Sequence, residues 1–170
     1  MHILELSQQL PNYAKDIKLN IASLFNENWL TTQQKLLIIV AVAKYLQNPQ
    51  LTAAVQQDIS EALSEQQQQA AYAATTIMAM NNIYYRFTHL CNEASVANLS
   101  AKLRMNIMSN PGIDQVDFEL CSLAISALNG CGMCMEAHTK ALLKAQSKPE
   151  AIQQAVKIAA VFNAFATAFN

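Results

Sequence analysis

Glu119-Leu120-Cys121-Ser122-Leu123-Ala124-Ile125-Ser126-Ala127-Leu128-Asn129-Gly130-Cys131-Gly132-Met133-Cys134-Met135-Glu136-Ala137-His138 reads as one helix, a glycine turn and the start of a second helix. Apolar residues before Asn129 recur at helical spacing, and Gly130 suits the left-handed cap that ends a helix. Cys131 then begins the next one. Cys134 follows it by three residues and His138 follows Cys134 by four. At about 100° per residue the three lie within roughly 60° of one another on a helix. The two sulfurs can therefore close a ring, with His138 one turn beyond Cys134 on the same face. Unpaired N–H groups and the positive end of the helix dipole stabilise a thiolate at such a start. His138 can take the thiol proton or, as a cation, lower the thiol pKa further. Gly130 and Gly132 leave room for a small oxidant or another backbone. If the helices fold back as a hairpin about Gly130, Glu119 comes alongside His138 and orients the imidazole. The stretch then carries a Glu–His–Cys relay, the triad logic with a thiol as nucleophile.

The same helical grammar extends outward. The chain has three glycines, Gly112, Gly130 and Gly132, too few for many β-turns. Apolar periodicity predicts helices near 2–9, 13–25, 32–46, 50–60, 65–86, 96–109, 115–129, 131–145 and 149–168. Thr31-x-x-Gln34, Ser64-x-x-Gln67 and Ser147-x-x-Glu150 read as capping boxes, and Asn110-Pro111-Gly112 as a turn. The expected fold is all-α, one domain over 1–170. Internal likeness points to duplicated halves. Lys18 to Ser23 resembles Arg104 to Ser109, and Glu65 to Ala79 resembles Glu150 to Ala164, both at a spacing of about 85 residues. That register sets Leu46, Pro49 and Ala53 against Cys131, Cys134 and His138. The expectation is an inert N-terminal half, about 1–86, and a redox-active C-terminal half, about 87–170.

Composition narrows the function classes. Of 170 residues, 52% are hydrophobic and 14% charged, which favours an oligomer that hides apolar surface. The net charge is -1, from 11 basic and 12 acidic side chains. No basic stripe is available to grip nucleic acid or anionic lipid. The longest apolar run, Leu36 to Ala43, is too short for a membrane span, and Met1 to Leu10 lacks the pattern of a signal peptide. A cytoplasmic, reducing setting is expected, where a Cys-x-x-Cys pair is catalytic or metal-binding rather than a structural staple. Zinc on Cys131, Cys134 and His138 with Glu119 or Cys121 is the metal alternative. Cys91 and Cys121 are expected to be structural thiols. Met78, Met80, Met105 and Met108 read as core, and Tyr84, Tyr85 and Arg86 as packing. His2 and His89 have no evident partner.

At Ala79 to Arg86, Leu103 to Gly112 and Phe118 to His138 the chain resembles the AhpD-like alkylhydroperoxidase family, within the carboxymuconolactone decarboxylase superfamily. The last stretch carries the family's Glu, Cys-x-x-Cys and His pattern with its spacing intact. The resemblance implies an all-α fold with duplicated halves, assembled as a homotrimer. It implies reduction of organic hydroperoxides and re-reduction of an AhpC-type peroxiredoxin. No tightly bound cofactor is implied; electrons come from dihydrolipoyl groups on a lipoyl-bearing protein. Carried over, Cys134 becomes the sulfenic acid, Cys131 is the proton donor and disulfide partner, and His138 and Glu119 form the relay. Some members have a His between the two cysteines; here Met133 stands there, and any proton path through that position is absent. The competing expectations are a general disulfide reductase, a decarboxylase of the wider superfamily, and a zinc-stabilised helical interaction module.

Overall fold

Two helices that are apolar nearly all round organise the molecule, a pattern that marks helices buried on every side. In the computed structural model, which describes residues 1–169, these are α3 (Thr32–Leu46) and α7 (Gln115–Leu128). Lys35 to Ala43 of α3 and Phe118 to Ser126 of α7, apart from the partly buried Glu119, are buried. The two pack on each other, and α5 (Glu65–Leu90) and α9 (Pro149–Ala168) flank them, each in contact with both. Around this centre lie α1 (His2–Ser7), α2 (Lys15–Asn26), α4 (Pro49–Ile59), the single-turn α6 (Ala94–Ala97) and α8 (Gly132–Lys144), with 3-10 turns at Asn12–Ala14 and Asn106–Met108. The fold is all-α, as the sequence predicts. Asn170, the last residue of the expected domain, lies outside the described residues. No helix among them is long and apolar enough to cross a membrane.

The caps form as the sequence reads at two places. Thr31 with Gln34 and Ser64 with Gln67 make reciprocal capping boxes. The third box does not form. Lys148 is the N-cap of α9 and Pro149 starts the helix, so Ser147 sits one residue too early. Fully buried Phe118, Phe162 and Phe165, with Ile38, Ile39 and Leu120, fill the centre. Burying each such side chain is worth about 1.5–3 kcal/mol against leaving it in water.

One expected helix is wrong. Residues 96–109 do not form one; only α6 and the 3-10 turn at Asn106–Met108 are helical there. Ala101, Leu103, Met105 and Ile107 are half-buried, whereas Lys102, Arg104 and Asn106 are exposed. That two-residue alternation in burial is not the period of a helix face. Lys102 also has a positive φ of 48°, which no helix accepts. The likeness of Lys18 to Ser23 with Arg104 to Ser109 is therefore not structural, because the first hexapeptide lies within α2. A different correspondence does exist. Thr31, Gln47 and Asn48 occupy, at one constant spacing, the places of Asp114, Gly130 and Cys131. Thr31 and Asp114 cap α3 and α7, Gln47 and Gly130 both have positive φ, and Asn48 and Cys131 cap α4 and α8. This register differs slightly from the one read in the sequence, and sets Asn48, Leu51 and Val55 against Cys131, Cys134 and His138.

Candidate active site

The site begins at the end of α7. Cys131 N–H donates to Ser126 O (3.1 Å) and Gly130 N–H to Ala127 O (3.1 Å), with Gly130 at φ 64°. These are the two bonds of a Schellman ending, and they need a left-handed residue at Gly130. The residue that completes this ending also opens the next helix. Cys131 is the N-cap of α8, and its Sγ accepts from Cys134 N–H at 3.3 Å. One residue thus closes α7, caps α8 and aims its sulfur at the first turn. Side chains anchor the turn. Arg86 Nη1 donates to Asn129 O (2.6 Å), Tyr45 Oη to Asn129 Oδ1 (2.7 Å) and Asn129 Nδ2 to Asn82 Oδ1 (3.1 Å). Asn82 Nδ2 in turn donates to Ser126 Oγ (2.9 Å).

Cys131 and Cys134 are joined as a disulfide, with Cα atoms 5.3 Å apart. The two sulfurs are not equivalent. Cys131 is fully buried, whereas Cys134 is 7% exposed and lines a pocket of about 210 Å³. Met78, Asn81, Tyr85, Met108, Met133 and His138 are among the other walls. The hairpin about Gly130 forms as expected and brings Glu119 to His138. Glu119 Oε2 lies 2.7 Å from His138 Nδ1. Gln115 Nε2 steadies the carboxylate from Oε1 at 3.0 Å while also donating to Met108 O at 3.1 Å. The other end of the imidazole brings a surprise. His138 Nε2 lies 3.2 Å from Met78 Sδ, and no hydrogen bond joins it to Cys134 in this oxidised form. Both ring nitrogens thus face groups with no proton to give, a carboxylate and a thioether.

Met78 was expected to be core, and it is, at 1% exposure; it is also a wall of the pocket and a partner of the histidine. Asn81, Tyr85 and Gln115 were not expected at the site. The available signal was Asn81-Asn82 interrupting the apolar run from Ile77 to Tyr85 of α5, where asparagine is disfavoured without a task. Tyr85 lines the pocket rather than only packing, and Arg86 caps the α7 carboxyl end. His2 does have a partner, since its Nδ1 lies 3.1 Å from Asp58 Oδ1. Of the two other thiols, Cys121 is fully buried, and burial followed by the nearby Asp117 charge pushes its pKa far up. Cys91 is the C-cap of α5 and only half-buried. Among the described residues no cluster of three or more His, Cys, Asp or Glu side chains is arranged to hold a metal.

Residues 94–170 match the model of the carboxymuconolactone decarboxylase family. Over its full length the chain is 45% identical to a protein of Beijerinckia indica subsp. indica named alkyl hydroperoxide reductase AhpD, of which it covers 94%. Proteins with the same name from a Methylobacterium species and from Maricaulis maris are 49% and 48% identical. Those two matches span 97% and 98% of this chain, and 94% and 96% of the relatives. With such identity sustained from end to end, on an all-helical fold that brings the Glu, Cys-x-x-Cys and His pattern together, the chain belongs to the AhpD-like alkylhydroperoxidase family of the carboxymuconolactone decarboxylase superfamily.

Proposed function

We propose that this chain is a peroxidase-type thiol enzyme that reduces organic hydroperoxides, and re-reduces an AhpC-type peroxiredoxin, by cycling Cys131 and Cys134 between dithiol and disulfide. The observation that carries this reading is the Cys131–Cys134 pair at the start of α8, with its more accessible sulfur on a pocket also lined by His138, whose ring Glu119 holds from behind. In the reduced state the Cys134 thiol gives its proton to His138, whose cationic form Glu119 stabilises. The thiolate attacks the terminal oxygen of the hydroperoxide and the O–O bond breaks. Cys134 becomes a sulfenic acid, and the departing alkoxide takes the proton from His138 and leaves as an alcohol. The Cys131 thiol then displaces hydroxide from the sulfenic acid, water leaves, and the disulfide forms. A dihydrolipoyl group on a lipoyl-bearing protein restores the dithiol and becomes a cyclic disulfide. Exposure favours this division of labour: Cys134 faces the pocket and Cys131 is enclosed.

The reading includes a cytoplasmic setting, a homotrimer, and descent by duplication of a three-helix unit, α3–α5 and α7–α9. The matched caps support the duplication. In that case only the second copy keeps the thiols. The first copy supplies α5, whose Met78, Asn81 and Tyr85 wall the pocket, so it is more than a scaffold.

The test is to reduce the protein, add a lipoyl donor with its recycling reductase, and follow turnover on an alkyl hydroperoxide and on an oxidised peroxiredoxin. Turnover on either is expected. Activity only on generic disulfides favours a general disulfide reductase. Stoichiometric zinc with protected thiols in freshly purified protein favours an interaction module.

A further inference from the structure

Among the described side chains two buried polar atoms meet no hydrogen-bond partner of the protein, Asn81 Oδ1 and Ser122 Oγ. Ser122 is wholly enclosed and lines no pocket described above. Asn81 differs. It is 95% buried, and it lines the same pocket as Cys134 and His138. A carbonyl oxygen held out of water without a donor destabilises the fold. Such an exception in a native structure calls for an explanation, and a ligand that brings its own donor removes the penalty.

Resting on the thiol-peroxidase reading, we propose that Asn81 is a substrate-binding residue whose Oδ1 accepts the hydrogen bond of the hydroperoxide O–H. The chemistry fits the position. The oxygen that bears this hydrogen is the one the Cys134 thiolate attacks. Gripping its O–H aims it at the sulfur and turns the alkoxy oxygen, the leaving group, away. The S–O bond forms as the O–O bond breaks, and the sulfenic acid keeps that oxygen and its hydrogen. The same hydrogen bond to Asn81 therefore survives from bound hydroperoxide to sulfenic acid, and nothing must reorganise during the step. The remaining walls hold the organic group. Met108 and Met133 are flexible thioether side chains that repack around different shapes, beside the buried Met78. At about 210 Å³ the pocket is below the ~300 Å³ at which drug-sized ligand pockets begin. It suits slender apolar hydroperoxides. Specificity thus divides between Asn81, which reads the O–O–H group, and the methionines, which tolerate the rest.

The experiment separates the two half-reactions in rapid mixing. Reduced enzyme meets an alkyl hydroperoxide in one, and oxidised enzyme meets dihydrolipoamide in the other, for wild type, Asn81→Leu and Asn81→Ala. In both variants the hydroperoxide step is expected to slow roughly ten- to a hundred-fold, the loss of one buried hydrogen bond. The dithiol step should stay within about twofold. Asn81→Leu should also melt no lower than wild type, because it removes a buried acceptor that nothing in the protein satisfies. An unchanged hydroperoxide rate overturns the proposal. So does equal slowing of both steps, which means a structural role or a place for the lipoyl arm. Failure of both variants to fold overturns it as well, since this side chain would then be holding the fold. A wild-type enzyme that does not react with hydroperoxide at all sinks the peroxidase reading itself, and is told apart from the other outcomes by that control.

Discussion

Cys134 and Cys131 differ in exposure before they differ in chemistry, and the difference is testable residue by residue. Cys134→Ser should abolish hydroperoxide turnover and the trapping of a sulfenic acid. Cys131→Ser should still form the sulfenic acid on Cys134 and stop there, which mass spectrometry after limiting peroxide will read. A stable sulfenic acid on Cys131 would reverse the roles. Glu119→Gln and His138→Phe should each slow turnover by about 10²–10⁴-fold, the usual worth of a positioned acid–base group. The double variant should be little worse than the poorer single, since residues acting as one relay are not additive. Multiplicative losses would mean that the 2.7 Å contact between them is not used in one step. The remaining thiols should separate as well. Cys121, enclosed and with its pKa raised by burial, should resist alkylation until the protein unfolds. Half-buried Cys91 should label in native protein without loss of activity. Loss of label at Cys121 as fast as at Cys134, on adding one equivalent of peroxide, would reveal a second redox centre.

At the level of elements, the junction of α7 and α8 does most of the positioning. Its two glycines serve different ends. Gly130 has φ 64° and open space around a would-be Cβ, so replacing it with alanine meets only backbone strain. Gly130→Ala should destabilise by about 1 kcal/mol and lower activity through the position of Cys131. Gly132 is the first residue of α8, has ordinary φ, and also faces open space. Gly132→Ala should be neutral or more stable by up to about 1 kcal/mol. Denaturant titration of the two variants side by side checks the contrast. If both destabilise alike, the Schellman ending is not what requires Gly130.

The whole molecule leaves apolar surface uncovered at one end of α5 and just beyond it. Ile83, Phe87, Leu90 and Leu99 are each more than half exposed. Exposed apolar surface of this kind marks an interaction site, and the proposed homotrimer is expected to cover it. Sedimentation should give three times the chain mass. Phe87→Glu with Leu90→Glu should give monomers, because unpaired carboxylates do not enter an apolar interface. A trimer indifferent to these charges would put the interface elsewhere.

The helix–Gly130–helix reading, the capping boxes at Thr31 and Ser64 and the approach of Glu119 to His138 were all legible in the chain. Each rests on neighbours close in sequence, where spacing alone sets which side chains share a face. The non-helical run from Ala101 to Met105 was missed, because its apolar residues also fit a helical reading. Long-range packing decided the rest. Which sulfur faces the pocket depends on how α5 lies against α7 and α8. The contact of Met78 with His138, over 60 residues of chain, has no local signature. The same is true of Asn81. In the sequence it is a polar residue inside a helix; only the assembled fold puts it in the wall beside Cys134 with its oxygen unpaired. Side-chain spacing determined the reactive cluster, whereas the packing of distant helices decided what surrounds it, because burial and hydrogen-bond satisfaction are properties of the closed core and not of any one segment.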